Sequence, residues 1–361
     1  SSRLGRRTDA SMRYEKILDP ELTVTAIKRF VYLLKNIDSG AYVSSGLTDE
    51  YVRKYDSVVI TFDKKFVDRY TGIDISEERI EKTLTLLGFG VKAAVFPFHA
   101  WLPEASVAPT PVTALLHAVA VVKSGVFAII RVTYFSFGAQ VLRGTMAQNI
   151  ALLLASATIV YGSTMAVKEH HFKRRLAYST VSNLSYIVLA ASLMTQSGLT
   201  ASLAHMLFHA LIKITLFFCA GAVMVKTGRT QIEDLRGLSK VMPFTCATYT
   251  IGAISLMGTP LLPGFVSKWL IGSAAIETGT AMGMVGVAAI LISAVLTAIY
   301  LMGPALSMYF RPLEGMEKVV SCDPGMRMKL PFAVLAAAIV LCGLFSDPII
   351  TLLANLSAGV M

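Results

Sequence analysis

The chain has 361 residues, 54% of them hydrophobic and 16% charged, with a mean hydropathy of +0.62. That is too apolar for a soluble domain of this length, so most of it belongs in lipid. A formal net charge of +10 can mark a nucleic-acid binder, but here the basic residues crowd short connections between apolar runs, and no nucleic-acid partner is expected.

Residues 1–82 hold 15 of the 33 Lys+Arg and 14 of the 23 Asp+Glu. Ser1 to Arg13 have no apolar core and do not read as a signal peptide. Ile27, Phe30, Val31, Leu34 and Ile37 share one helical face. A second amphipathic piece, Val58 to Val67, mixes Phe62 and Phe66 with Asp63, Lys64 and Lys65. Neither is long or apolar enough to span a bilayer, and both suit a membrane surface or a partner. The chain divides into a mixed-charge, non-spanning segment, 1–82, and a transmembrane domain, 83–361.

From Thr83 the apolar stretches run at about 84–98, 111–135, 150–167, 177–195, 201–225, 243–273, 283–310 and 330–355. Most reach the roughly 20 residues of a spanning helix. The first is short, and the sixth is interrupted by Gly258, Pro260, Pro263 and Gly264, so both read as broken helices. The expectation is an all-α polytopic protein of about eight passages. If they alternate, the basic connections Lys168–Arg175, Lys226–Lys240 and Arg311–Lys329 share one side, which the positive-inside rule makes cytoplasmic. The C-terminus is then external.

Gly88-Phe-Gly-Val-Lys92 and Gly264-Phe-Val-Ser-Lys268 share the pattern G-F-x-x-K, as expected of a transporter built from two structural repeats. Gly88 to Ala93 also matches a dinucleotide-binding G-x-G-x-x-A, but no strand precedes it and no βαβ unit surrounds it. Cys219, Cys246, Cys322 and Cys342 lack any cluster-ligand spacing. No disulfide framework, iron–sulfur site or other cofactor is expected.

A lysine at the bilayer centre costs about 2.5–3.5 kcal/mol, so it normally faces a polar interior. Lys92, Lys123, Lys213 and Lys268 all lie inside apolar stretches. A single one of them has a bland alternative, a reach to the interface or a structural ion pair; four together argue for a task. His205, His209 and Lys213 recur at i, i+4 and i+8, on one face spanning about 12 Å. Histidine exchanges protons near neutral pH, and burial disfavours a charged lysine, so the set can pass a proton along. The alternatives are histidines bonded to backbone carbonyls or bound to metal; no third ligand lies nearby, which disfavours metal. His117 and Lys123 stand six residues apart, about 120° around a straight helix, and flank one path without touching. The breaks beside Lys92 and Lys268 expose backbone that lipid cannot satisfy and should line a cavity. His170-His171, in the basic connection, read as solvated.

Four segments carry a family resemblance: Pro97-Phe-His-Ala-Trp-Leu-Pro-Glu-Ala105, Ala108-Pro-Thr-Pro-Val-Thr-Ala-Leu-Leu-His-Ala118, Arg175-Leu-Ala-Tyr-Ser-Thr180 and His205-Met-Leu-Phe-His-Ala-Leu-Ile-Lys213. Over about residues 83–355 the chain resembles the antiporter-like proton-pumping membrane subunits of respiratory complex I, complex I-type membrane-bound hydrogenases and Mrp cation/proton antiporters. The resemblance implies two inverted five-helix repeats, each forming a half-channel. Lys92 is then the broken-helix lysine of the first half and Lys268 the terminal lysine of the second. His117 and Lys123 connect the halves, His205, His209 and Lys213 form the central relay, and Pro97, Pro109 and Pro111 shape helix ends.

It further implies a proton-translocating subunit, or one carrying sodium ions. Such a subunit has no redox centre and sits among other membrane subunits of a complex I-like oxidoreductase in the plasma (inner) membrane of a prokaryote; an Mrp-type Na⁺/H⁺ antiporter subunit is the alternative. The family carries about six further helices before Lys92, one bearing a glutamate paired with that lysine. Residues 1–82 contain no such helices, so the first repeat is incomplete. A second chain, a shortened chain or a member using the second half-channel alone would each account for this.

Overall fold

A computed structural model describes residues 88–106, 110–312 and 322–360, all within one compact unit of the chain. The expected segment 1–82 lies outside the described residues. Helix α1 is Trp101–Ala105 and α2 is Thr110–Leu142, the latter containing π-helical turns at Leu115–Val119 and Val132–Gly138. Then come α3 (Met146–Lys168), α4 (Phe172–Ser192), α5 (Gln196–Thr227), α6 (Pro243–Met257), α7 (Pro263–Glu277), α8 (Ala281–Phe310), α9 (Met326–Leu344) and α10 (Asp347–Ala358). Among these, α2, α3, α5, α8 and α9 are each long and apolar enough to cross a membrane.

Local chemistry sets the ends. Helices α3, α5 and α8 each start at a threonine, Thr145, Thr195 and Thr280. Each hydroxyl accepts from the backbone N–H three residues on, at Gln148, Gly198 and Gly283. This meets one of the free amides of a helix N-terminus. Helix α5 stops at Gly228, whose φ of +69° is the left-handed cap that glycine takes readily. Both α6 and α7 open on proline, whose missing N–H costs nothing in the first turn.

Helix α4 departs from the hydropathy rule. It has the length of a span but carries Lys173, Arg174, Arg175 and a run of Ser, Thr and Asn, and almost all of it is buried among its neighbours. Protein, not lipid, covers its polar side. The sixth apolar stretch is broken as expected, between α6 and α7. The stretch at 330–355, expected as one passage, is two helices parted at Phe345–Ser346.

The three basic connections meet at one end of the bundle. Phe172 N donates to Thr230 O at 2.8 Å and Ile232 N to His170 O at 2.9 Å, while Gly237 N donates to Ser307 O at 3.0 Å and Cys322 N to Val241 O at 2.8 Å. His170 Nδ1 lies 2.7 Å from Glu233 Oε1. Asp323, beyond α8, accepts from Phe244 N, Thr245 N and Thr245 Oγ1, capping the start of α6. At the opposite end Gln148 Nε2 donates to Ser192 O and Leu193 O, tying α3 to the end of α4.

The interior holds two apolar clusters separated by a polar layer. On α5 one cluster takes Leu199 and Ala201 and the other starts at Ile212, leaving His205 and His209 between them. On α7 the gap between Leu262 and Ile271 holds Ser267 and Lys268; on α8 the gap between Ile290 and Tyr300 holds Ser293 and Thr297. Four helices thus place their polar side chains at one depth, with Ser179 and Thr180 supplied by α4 between Leu176 and Val181.

Candidate functional site

The polar layer is built from the breaks inward. Helix α6 ends at Gly258 (φ +101°), and α7 returns beside it so closely that a Cβ on Gly264 would lie 1.8 Å from Ser255 O. Only glycine allows that approach. The last carbonyls of α6 have no partner within their own helix, and Lys268 Nζ donates to two of them, Leu256 O at 2.7 Å and Met257 O at 3.1 Å. A cation at a helix C-terminus also meets the negative end of the helix dipole.

His205 Nδ1 lies 2.9 Å from Ser267 Oγ. The serine hydroxyl also faces Pro263 O at 3.1 Å and Gly264 O at 3.3 Å, and Nε2 of the His205 ring is buried without a partner among the described residues. The Tyr186 ring joins the same corner, with its centroid 5.3 Å from His205 and 5.7 Å from Lys268 Nζ. His205 stacks on His209 at 5.8 Å, as i, i+4 neighbours do. His209 Nδ1 is hydrogen-bonded to Lys123 Nζ on α2.

One turn further along α5, Lys213 Nζ donates to Leu176 O at 2.8 Å and to the Ser179 hydroxyl of α4. The same ammonium stands 5.8 Å from the centroid of the Phe217 ring, and His117 stacks on that ring at 4.9 Å. Both His117 and Lys123 therefore face the α5 stripe, at Phe217 and His209. The π turn at Leu115–Val119 lies between them and widens the local register, and the two side chains do not meet each other but reach α5 two turns apart.

Lys123, Lys213 and Lys268 are 6%, 0% and 8% exposed, and His117, His205 and His209 no more than 1%. Lys92 differs: its side chain is exposed on the outside of the described bundle, apart from the others. Its backbone is packed, since a Cβ on Gly125 would lie 2.8 Å from Lys92 C and Ala93 N. His205 Nε2, His209 Nε2, both His117 nitrogens and Asn183 Oδ1 are buried without a hydrogen-bond partner among the described residues. Buried polar atoms of this kind are ordinarily met by water.

Ser267, Ser179, Tyr186 and Phe217 complete the layer, and residue type alone does not single them out. Ser267 and Ser179 lie inside the G-F-x-x-K pattern and the Arg175–Thr180 segment, so adjacency to those motifs is the available signal. Tyr186 and Phe217 carry none, being ordinary aromatics in apolar runs.

Fold and site together define a polytopic, all-α membrane protein with a line of buried amines and imidazoles crossing several helices. The family model of the NADH:quinone oxidoreductase/Mrp antiporter transmembrane region matches residues 60–297, and the chain belongs to that family. NADH-quinone oxidoreductase subunit N of Desulforudis audaxviator is 36% identical over 278 residues, 73% of this chain and 54% of that protein. A probable K⁺/H⁺ antiporter subunit of Rhizobium meliloti is 39% identical over 196 residues, 54% of this chain and 19% of that protein. Among solved structures, a chain of the membrane-bound sulfane sulfur reductase, an archaeal respiratory membrane complex, superposes with a TM-score of 0.70 at 32% identity, covering 78% of this chain and 56% of its own. The chain thus spans about half the length, or less, of the curated relatives it matches.

Proposed function

We propose that the chain is a membrane subunit that moves protons through the Lys/His layer, without a redox centre of its own, inside a multi-subunit complex I-like oxidoreductase of a prokaryotic plasma membrane. Continuity carries this reading: Ser267, His205, His209 and Lys123 touch in succession across α7, α5 and α2. Lys268 and Lys213 flank the string, and His117 meets Lys213 across Phe217. Imidazole accepts and releases protons near neutral pH, and a buried amine that changes charge alters the field on its neighbours, so movement at one end biases the other.

The chemistry favours protons over sodium ions. Sodium needs several oxygen ligands, whereas His205, His209 and Lys123 present nitrogen and Ser267 a single hydroxyl, and the charge that the amines acquire repels a cation. Lys92 takes the role of a first-half switch, its exposed ammonium met by an acidic group from outside the described residues, as other membrane subunits would provide. Residues 1–82 form a non-spanning segment on the membrane surface or along such a subunit. A second reading, an Mrp-type antiporter subunit without electron transfer, is favoured by the 39% identity to the antiporter relative.

In inverted membrane vesicles, Lys213→Ala and Lys268→Ala should each abolish proton uptake, read by quenching of a pH-sensitive dye, while electron transfer persists in part. Normal uptake in both variants would overturn the reading. Co-purification with flavin, iron–sulfur or nickel–iron proteins supports the oxidoreductase; sodium-dependent uptake without them supports the antiporter.

A further inference from the structure

On the outer face of the bundle, a cavity of about 320 Å³ lies between the end of α6, α7 and α8, within the size range of small-ligand pockets. Its walls are apolar, from Met257, Phe265, Trp269, Ile276, Val287 and Leu291. Trp269, Ile276 and Leu291 are 65%, 57% and 62% exposed, so its mouth lies on an apolar exterior. One charged side chain lines it, that of Lys268. From Lys268 to Ile276 the cavity follows α7 for about 12 Å at 1.5 Å per residue. Gly272, midway, leaves that track open, since nothing lies within 4 Å of a Cβ built there.

The hydrogen bonds of Lys268 can be counted. A neutral amine has two N–H groups and an ammonium three. Among the described residues, Lys268 Nζ has two acceptors, Leu256 O at 2.7 Å and Met257 O at 3.1 Å, and no carboxylate lines the cavity. The neutral side chain is therefore fully used, and protonation adds one donor that these residues leave unmet, on the wall of an apolar cavity. An anionic oxygen is the strongest partner for such a donor. One polar anchor beside an apolar track about 12 Å long matches a ligand with an acidic head and an alkyl chain.

We propose that this cavity binds a medium-chain aliphatic carboxylic acid, with its carboxyl group on Lys268 and its alkyl chain running past Gly272 towards Ile276. The acid arrives neutral from the bilayer, because a bare carboxylate is costly in hydrocarbon. Its O–H bond then breaks, the proton passes to the Lys268 nitrogen, and a carboxylate–ammonium pair forms with no change in total charge. Burial of the chain against the apolar walls adds the hydrophobic contribution. On the proton-moving reading, such a pair arrests Lys268 in its charged state; the binding itself does not depend on that reading.

The test is photolabelling of the tagged full chain, purified with its co-purifying subunits into phosphatidylcholine nanodiscs, by dodecanoic acid carrying a diazirine on its chain. Labelled residues are mapped by mass spectrometry and should fall between Trp269 and Ile276 of α7 and between Val287 and Ala294 of α8. Unlabelled dodecanoic acid should compete, and dodecanol, which has the chain without the acid, should not. Lys268→Met should lower the affinity about tenfold, the lower end of what a hydrogen bond to a charged group contributes. Gly272→Leu places a side chain in the track and leaves Lys268 intact; it should also lower labelling, and it serves if Lys268→Met fails to fold. Competition by dodecanol equal to that by the acid would overturn the proposal, by reducing the cavity to a surface for acyl chains. Labelling at the wild-type level in Lys268→Met or in Gly272→Leu, or labelling confined to other segments, would also overturn it.

Discussion

Lys123 of α2 and His209 of α5 share a hydrogen bond across 86 residues of chain, inside a layer where neither side chain exceeds 6% exposure. An ammonium at that depth is costly unless a partner compensates it. The imidazole is such a partner only while its facing nitrogen is unprotonated, so the protonation states of the two groups are coupled.

That coupling predicts non-additive kinetics. Lys123→Met and His209→Gln should each reduce proton uptake about a hundredfold, the lower end of what positioned acid–base groups contribute. The double variant should be no slower than the worse single one, as for residues that act as a unit. Removing one member of a buried polar pair leaves the other without its partner, so the melting temperature of Lys123→Met should fall. Losses that add in the uptake assay would show that the pair is not one element.

Ser267→Ala should slow uptake by about tenfold without abolishing it. The hydroxyl is hydrogen-bonded to His205 Nδ1 at 2.9 Å and so biases which nitrogen of that ring carries the proton, a constraint whose loss lets the ring adopt either tautomer. Ser267→Thr keeps the hydroxyl and should restore most of the rate. Equal rates in the alanine, threonine and wild-type proteins would remove the serine from the path.

The legible part of the site is the part that violates composition. A lysine or histidine inside an apolar run stands out, and the four-residue period of His205, His209 and Lys213 gives their common face. Their partners cannot be read this way. Ser179 and Asn183 sit in a helix whose polar residues look like a weak span until burial by neighbouring helices explains them, and Lys123 finds His209 only through tertiary packing. The π turn beneath His117 is a register change that hydrophobic periodicity does not encode, and the break at Phe345–Ser346 carries no glycine or proline at the break itself. The long apolar helices and the shared end of the basic connections follow from apolar length and loop charge, which are local properties.

The His170–Glu233 contact should give the basic end a pH dependence. The hydrogen bond to His170 holds the Glu233 carboxyl below its ordinary value of 4.5. A depressed carboxyl contributes stability that is fully present above the ordinary value and is lost as pH falls through the lowered one. Thermal melts of wild type and Glu233→Gln should therefore differ at neutral pH and converge in the acid range below about 4.5. The pair is half-exposed, so the difference should be small and shrink with added salt. A difference that grows on acidification would contradict the assignment.

Gly264 and Gly272, eight residues apart on α7, should respond in opposite directions to the same substitution. A Cβ on Gly264 would meet Ser255 O at 1.8 Å and Ser255 C at 2.7 Å. Both are backbone atoms of α6 that cannot swing aside, so Gly264→Ala must push α7 away from α6. The carbonyls of Leu256 and Met257 would then leave the reach of Lys268, exposing a buried ammonium and two helix-end acceptors at once. Loss of several kcal/mol is expected, read as failure to recover monodisperse protein in detergent or as a sharply lowered melting temperature. Around Gly272 nothing lies within 4 Å of the added carbon, and alanine in a helix interior is favoured over glycine by about 0.8–1.0 kcal/mol. Gly272→Ala should accordingly melt at or above the wild-type temperature with uptake unchanged. Equal behaviour of the two variants would mean that the close crossing of α6 and α7 is not what fixes Lys268 at the break.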